Sequence, residues 1–175
     1  MKKIIFLLIL TCAFTVQAQY RNSQRQRQTS TPRVQQKAPE PNFNIKKHLG
    51  IVIYDIKKVA KKSSIKLTSI EGKQFFKVLT KYNQSIKDIT RINSFLLRNT
   101  KEMVENFQKQ SMKSRNFSKQ PEVYKKMTEN LKPISETLKE EDLKLDASIK
   151  NLLSKKQYKK WIKYNKKIHK FFPKE

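Results

Sequence analysis

Apolar residues recur at intervals of three and four along most of the chain beyond residue 44, which is the spacing that places them on one face of an α-helix. The longest run predicts one helix over residues 69–110, about 60 Å long at ~1.5 Å per residue, with a coiled-coil-like seam. If this helix bends, we expect the bend at Asn99 or Thr100. The seam residues are Phe75, Leu79, Tyr82, Ile86, Ile89, Asn93, Leu96, Thr100, Met103 and Phe107.

Three further helical segments accompany this run. The first covers residues 45–62. Another starts at Pro121 and continues past Pro133, which should kink or restart it because proline removes an interior hydrogen bond. The last runs from Ser154 to about Phe172. The pattern therefore predicts an all-α fold, an elongated helical hairpin or bundle of about four helices with one long helix of ~40 residues.

Residues 1–18 have the three parts of a secretory signal peptide: a charged start, an apolar stretch over residues 4–16 and a small-residue cleavage site ending at Ala18. The apolar stretch is shorter than the ~20 residues that a membrane span needs. A lipoprotein signal at Cys12 is the alternative, but Thr11 stands where lipidation favours a smaller residue. We expect a cleaved signal peptide and a periplasmic protein without cysteine, which excludes disulfides and thiolate metal sites.

Residues 19–44 form a basic linker that is poor in large apolar side chains and rich in glutamine, serine and proline. Such a segment buries too little apolar surface to offset the entropy of ordering it, so we predict a disordered tether. The alternative is an arm whose arginines contact an anionic envelope surface. Residues 45–172 are predicted to be a single helical domain.

The composition excludes several classes of protein and indicates a strongly basic one. The chain has 175 residues, with 40 lysines and arginines against 14 acidic residues, a formal net charge of +26. Removal of residues 1–18 takes away only two lysines, so a large excess of positive charge remains. Its two glycines are too few for a glycine-rich phosphate loop or for the tight turns of a β-barrel.

The sequence does not point to an enzyme, a cofactor or a metal site. His48 and His169 each lie among lysines, with no third ligand at metal-site spacing. Five acidic residues are interleaved with lysines, which predicts a solvated helix face and not an acid–base pair. They are Glu136, Glu140, Glu141, Asp142 and Asp146. Trp161 and Tyr158 are expected in the core.

Lysines gather on one side of the last helix, opposite its aromatic and aliphatic residues. The long helix shows the same separation more loosely. Apolar stripes would assemble the bundle and leave a cationic binding face outside it. The candidate residues of this face are Lys73, Lys77, Lys81, Lys87, Arg91, Lys155, Lys156, Lys159, Lys160, Lys163, Lys166, Lys167 and Lys170.

Two short motifs open the long helix and the last helix. They run from Leu67 and Thr68 to Glu71, and from Leu153 and Ser154 to Gln157. Each has the spacing of a capping box, in which two side chains satisfy free amides at a helix start. The pair resembles the LTxxQ motifs of the Spy/CpxP family of small helical periplasmic proteins. The first copy has Glu71 where that family has glutamine, and the second has Ser154 where it has threonine.

This resemblance implies an antiparallel homodimer shaped as a thin curved cradle, whose cationic concave face holds unfolded or partly folded envelope proteins without ATP. It could instead imply a stress-sensing regulator of the CpxP kind. Two other functions stay open. One is binding to a polyanion or membrane surface, such as lipopolysaccharide or anionic lipid, and the other is an envelope interaction protein without chaperone activity. We expect no specific nucleic-acid partner, because basic charge alone gives only salt-sensitive, unspecific affinity.

Overall fold

A computed structural model describes residues 40–172, and within this range the chain is all-α, as predicted. The predicted signal peptide, with Cys12, and residues 19–39 of the predicted linker lie outside the described residues. Within 40–172, no helix has both the length and the apolar composition needed to cross a membrane. The helices are α1 Ile45–His48, α2 Ile56–Ser63, α3 Ile70–Ile92, α4 Ser94–Ser114, α5 Gln120–Leu152 and α6 Lys155–Lys167.

The longest helix, α5, packs against both α3 and α4. Tyr82 of α3 contacts Asp142 of α5, whereas Thr100 of α4 contacts Asn130, an earlier residue of α5. The partner numbers fall as the α3–α4 numbers rise, so α5 runs antiparallel to them and the three helices form a hairpin. At the end of the hairpin where α3 begins and α5 ends, α6 packs mainly against α2.

Aromatic side chains fill the core beneath α6. Trp161 is fully buried, as the sequence predicts. Its indole ring lies 5.1 Å from the ring of Tyr54 and 6.0 Å from the ring of Phe75, in tilted and edge-on arrangements that aromatic pairs favour. Tyr158, also expected in the core, is half-buried at its edge. The indole thus joins the segment before α2 and the start of α3 to α6.

The single long helix expected over residues 69–110 is two helices, with the interruption at Asn93 and not at Asn99 or Thr100. Asn93 has φ −95° and ψ 13°, outside the helical region, and its side-chain amide donates to the carbonyl oxygen of Ile89 at 2.8 Å. Asparagine competes with the helix for backbone hydrogen bonds in this way. Thr100 is buried inside α4 and accepts a hydrogen bond from Asn130.

The interruption also changes which residues face the core in α4. Of the predicted seam, Leu96, Met103 and Phe107 are only half-buried. The buried apolar residues of α4 are instead Leu97 and Val104. Periodicity gave the helical content correctly and placed Thr100 in the core, but it did not predict Leu97 and Val104 in place of Leu96 and Met103.

The helix expected over residues 45–62 is two short helices separated by an extended segment. Gly50, at φ +62°, lets the chain leave α1. Asp55 then caps α2 by accepting a hydrogen bond from the amide of Lys58 at 3.1 Å. Between them, the backbone of Tyr54 both donates to and accepts from the side chain of Asn83, at 2.8 and 2.9 Å. These two bonds hold the extended segment against α3.

The two predicted capping boxes have different outcomes. The one at Thr68 and Glu71 is wrong, because α3 is capped by the next residue, Ser69, whose hydroxyl accepts from the amide of Gly72 at 3.0 Å. That hydroxyl also donates to the carbonyl oxygen of Lys66 at 2.7 Å, which ties the cap to the preceding turn. The capping box of α6 is confirmed. Ser154 accepts from the amide of Gln157, whose side chain accepts in return from the amide of Ser154.

Both prolines of α5 lie within the helix. Pro121 lies in its first turn, as expected, where a missing amide hydrogen costs nothing. Pro133 does not restart the helix, because α5 is continuous from Gln120 to Leu152. The last helix ends at Lys167, short of the expected Phe172.

Gly72 supplies a test of the start of α3. A Cβ atom at this position would lie 2.0 Å from the carbonyl oxygen of Lys66 and 2.6 Å from the Cα of Leu67. Helix propensity alone would make Gly72→Ala stabilising by about 0.5–1 kcal/mol. We expect the opposite: the clash with backbone atoms lowers the free energy of unfolding by about 2 kcal/mol. Urea denaturation followed by circular dichroism measures this change.

Gly50→Ala is the comparison. No atom lies within 4 Å of a Cβ at this position, so only the strain of a positive φ opposes the substitution, which we expect to cost about 1 kcal/mol. A Gly72→Ala variant that is as stable as the parent protein would contradict the close approach of the first turn of α3 to the backbone of Lys66 and Leu67.

Candidate binding surface

The outer side of α6 is covered with lysines because its inner side is the core. Trp161 and Asn165 are buried, and Lys160, which is half-buried, donates its ammonium hydrogen to the hydroxyl of Ser64 at 2.6 Å. Ser64 caps the C-terminal end of α2. This contact brings Lys160 of α6 to the end of α2 at which Lys61 and Lys62 lie. The exposed lysines of α6 are Lys155, Lys156, Lys159, Lys163, Lys166 and Lys167.

Exposed lysines of α2 extend this cationic area. They lie on the side of α2 opposite its buried Val59 and Ala60. Within residues 40–172, no carboxylate lies within 4.0 Å of any of these ammonium groups, since the ion pairs there involve other cations. We call this area the lysine surface: Lys57, Lys58, Lys61, Lys62, Lys155, Lys156, Lys159, Lys160, Lys163, Lys166 and Lys167.

The basic residues predicted on α3 are exposed, but the structure divides them between separate places. Lys77 borders a groove that it shares with Ser148 and Leu152 of α5. Lys87 and Arg91 border a different groove, beside α4. Arg91 also pairs with Asp88 at 3.4 Å on the surface. Three of the predicted basic residues of α3 therefore border two different grooves. Lys73 and Lys81 are exposed as well.

Lys170 does not belong to the cationic face, contrary to the prediction. It is 3% exposed, and its ammonium group lies 2.6 Å from a carboxylate oxygen of Asp142 and 2.9 Å from the carbonyl oxygen of Gly50. The prediction placed Lys170 on the outer face of a helix that was expected to continue to about Phe172. The helix ends at Lys167, and His169, at φ +56°, turns the chain so that Lys170 enters the core.

Asp142 corrects the prediction of a solvated acidic face. It is buried, and its second carboxylate oxygen accepts a hydrogen bond from the hydroxyl of Tyr82 at 2.8 Å. Glu136 and Glu140 are exposed as expected. Glu141 is half-buried and accepts from Lys144 at 2.8 Å, a bond that lowers the pKa of this carboxyl. Only part of the acidic cluster is therefore solvated.

Asp146 is the acceptor for a tyrosine of α6. The hydroxyl of Tyr158 donates to a carboxylate oxygen of Asp146 at 2.8 Å. Burial, followed by this hydrogen bond, raises the pKa of Tyr158 to about 12. The bond joins α6 to α5 at the edge of the core.

Two buried tyrosines form a polar layer that the sequence pattern did not predict. The hydroxyl of Tyr54 donates to the side-chain oxygen of Asn165 at 2.5 Å, and the rings of Tyr54 and Tyr82 are 5.6 Å apart. Burial raises the pKa of both hydroxyls well above 10.0, and the charge of Asp142 raises it further. One sequence signal was available, because Asn165 lies on the apolar side of the α6 wheel, where a polar residue needs a buried partner.

Several large apolar side chains are exposed elsewhere on the described part of the chain. The guanidinium of Arg98 lies 5.8 Å from the ring centre of one of them, Phe95. In the same part of the chain, no three His, Cys, Asp or Glu residues come together as metal ligands. The protein surface therefore combines exposed ammonium groups with scattered exposed apolar side chains. The exposed set is Ile53, Ile70, Phe76, Ile92, Phe95, Met112, Phe117, Tyr124 and Phe171.

The buried ion pair predicts a large and specific effect on stability. Lys170→Met leaves the carboxylate of Asp142 buried without its cation, and we expect the free energy of unfolding to fall by about 3–5 kcal/mol. The matched control is Lys166→Met on the exposed side of α6, which should change stability by less than about 0.5 kcal/mol. Denaturant titration measures both values.

The double variant Asp142→Leu/Lys170→Met separates loss of the pair from loss of one partner. Since buried pairs can be replaced by apolar residues at little net cost, we expect it to recover more than half of the lost stability. Equal effects of Lys170→Met and Lys166→Met would show that Lys170 is not buried.

The tyrosine pKa shifts predict a dependence of stability on pH. The folded-state pKa of Tyr82 lies above its ordinary value of 10.0, so its stabilising contribution is complete below pH 10 and is lost as the pH rises through the folded-state value. The hydrogen bond of Tyr82 should make Tyr82→Phe about 1–2 kcal/mol less stable at neutral pH. Above pH 10 that difference should shrink by up to about 1.4 kcal/mol per pH unit.

Thermal or denaturant unfolding of both proteins between neutral and alkaline pH measures this difference. Tyr124→Phe is the control at an exposed tyrosine. A Tyr82→Phe deficit that stays constant across the alkaline range would contradict a buried, hydrogen-bonded hydroxyl.

Comparison with known proteins found no match for this chain among family models, curated proteins or solved structures. The resemblance to the Spy/CpxP motifs therefore stays a prediction. Of its six motif residues, Ser154 and Gln157 form a capping box, Leu153 is buried, and Leu67, Thr68 and Glu71 do not cap α3.

Proposed function

We propose that this protein is an exported, ATP-independent chaperone of the Spy/CpxP kind, which holds unfolded or partly folded envelope proteins on a cationic helical surface. The observation that carries the proposal is the lysine surface, a group of mostly exposed lysines on two packed helices, with no carboxylate of residues 40–172 in ion-pair range. Export rests on the signal-peptide pattern of residues 1–18. A homodimer is part of the proposal.

Long-range attraction favours such a surface as a first contact for unfolded chains. Uncompensated positive charge raises the local concentration of polypeptides with acidic stretches and accelerates encounter. Lysine suits varied clients because its ammonium group is carried on a flexible four-carbon stem. Since these charges are exposed, the attraction should weaken with salt over a Debye length of about 8–10 Å.

Exposed apolar side chains supply a second kind of contact. Phe171, which is 67% exposed, follows directly after the buried Lys170 and lies in the same groove as Lys166 of the lysine surface. Ile53 is exposed just before α2. Weak apolar contacts beside mobile charges allow many sequences to bind, because no rigid pocket has to be matched.

Binding to a membrane or polyanion surface is the competing function. A basic amphipathic helix with tryptophan on its apolar side has the composition of an interfacial helix. In this fold, however, Trp161 is fully buried against Tyr54 and Phe75, so insertion of that side would require α6 to unpack. With α6 packed in place, the lysine surface could bind a membrane or a polyanion by charge alone. A third proposed function is that of an envelope interaction protein without chaperone activity, which would bind its partner through the same lysine surface.

Light scattering of a chemically denatured client, diluted with and without this protein, tests chaperone activity. The test variant is Lys156→Gln/Lys159→Gln/Lys163→Gln on α6. Its matched control is Lys125→Gln/Lys126→Gln/Lys132→Gln, three exposed lysines in the opposite half of α5. With about 0.5 kcal/mol per exposed charge contact, the α6 variant should need roughly ten-fold more protein for equal suppression.

The control should suppress aggregation like the parent protein. Unchanged aggregation at a several-fold molar excess of the parent protein would remove the chaperone function. Sedimentation with phosphatidylglycerol vesicles or lipopolysaccharide then identifies the alternative. Strong, salt-dependent pelleting without any effect on client aggregation would favour the polyanion or membrane surface as the partner.

A further inference from the structure

A groove separates the C-terminal part of α5 from α6, with a volume of about 740 Å³. Leu143, Ala147 and Lys150 line it from α5, at the spacing that places them on one helix face. Ile162 and Lys166 line it from α6, one turn apart. Lys170 and the two residues after it also line the groove, together with Asp146, Asn151, Tyr158 and Asn165.

The groove has room and apolar surface for a large side chain. Its volume lies within the 300–1,000 Å³ typical of ligand sites. Leu143, Ile162 and Phe172 offer aliphatic and aromatic contacts, and Phe171 projects largely into solvent beside them. A bound apolar group would cover part of Phe171, which water otherwise contacts.

The charges around the groove favour an anionic neighbour for that group. Lys150 and Lys166 are exposed and stand on the two facing helices. Lys170 is neutralised by Asp142, and Asp146 accepts the hydroxyl hydrogen of Tyr158. Two ammonium groups against the one carboxylate of Asp146 leave the groove cationic.

We propose that this groove binds a segment of an unfolded polypeptide in which an aromatic or large aliphatic residue stands next to acidic residues. The apolar side chain lies against Leu143, Ile162 and Phe172, and the acidic residues pair with Lys150 and Lys166. The proposal rests on the proposed function, since it specifies which client segments are preferred. It is more specific, because the lysine surface alone would select for negative charge without an apolar requirement.

Fluorescence anisotropy with three labelled peptides tests the groove. The first peptide alternates phenylalanine with aspartate, the second replaces its aspartates with lysines, and the third replaces its phenylalanines with alanines. We expect the first peptide to bind at least ~ten-fold more tightly than either of the others. Phe172 stacks on Trp161 at 5.9 Å, and Trp161 is the single tryptophan of the chain, so binding should also change the intrinsic fluorescence.

Two independent variants alter the groove itself. Ala147→Trp fills it, and its control is Ser135→Trp, at an exposed position earlier in α5. Lys150→Glu/Lys166→Glu reverses its charge, and Lys132→Glu/Lys139→Glu makes the same change at exposed positions of α5 that do not line the groove. Both groove variants should weaken binding of the first peptide by at least ~ten-fold, and neither control should.

Equal affinity for the first and third peptides, or unchanged binding by both groove variants, would overturn the assignment. Groove-dependent binding of phosphatidylglycerol vesicles without peptide binding would assign the groove to lipid instead.

The aggregation assay distinguishes the groove proposal from the proposed chaperone function. Groove variants that lose the peptide while the parent protein fails to suppress aggregation would refute the chaperone function but support the groove. Suppression of aggregation that depends on the α6 lysines but not on the groove would support the chaperone function and refute the groove as a client site.

Discussion

The buried pair of Lys170 and Asp142 is the contact on which the arrangement of this helical unit depends. Removing an ammonium and a carboxylate from water costs several kcal/mol each, so the pair is tolerable only when both groups find further partners. Here the hydroxyl of Tyr82 and the carbonyl oxygen of Gly50 supply them. One buried point thus joins α3, α5, the chain before α2 and the turn after α6, which are four segments distant in sequence.

This point also determines how α6 presents its charges. The helix is held near its start by the hydrogen bond from Tyr158 to Asp146, in its middle by the buried Trp161, and beyond its end by Lys170. Because rotation about the helix axis would break all three, the exposed lysines keep fixed positions at their Cα atoms. Only their flexible stems can adapt. A rigid backbone carrying mobile charges suits the capture of chains that have no fixed shape.

The helical content could be predicted from sequence because it depends on local spacing alone. Where helices end could not, since single polar side chains decide it: Asn93 bonds back to Ile89, and Ser69 forms the cap expected of Thr68. The exposure of most lysines on the outer side of α6 was predicted correctly for the same local reason. Lys170 was not, because its sequence neighbourhood matches that of the exposed lysines and only the turn at His169 distinguishes it.

Repulsion within the lysine surface connects stability with binding. The ammonium groups of α2 and α6 have no carboxylate within ion-pair range among the described residues, so folding has to oppose their mutual repulsion. A bound acidic segment relieves this repulsion and binds only where the helices hold the lysines together. By linkage, the ligand then stabilises the fold in proportion to its preference for that fold. Conditions that strengthen the repulsion, above all low ionic strength, should therefore also strengthen the binding. The cost of gathering like charges on two packed helices is the source of the affinity that the proposed function requires.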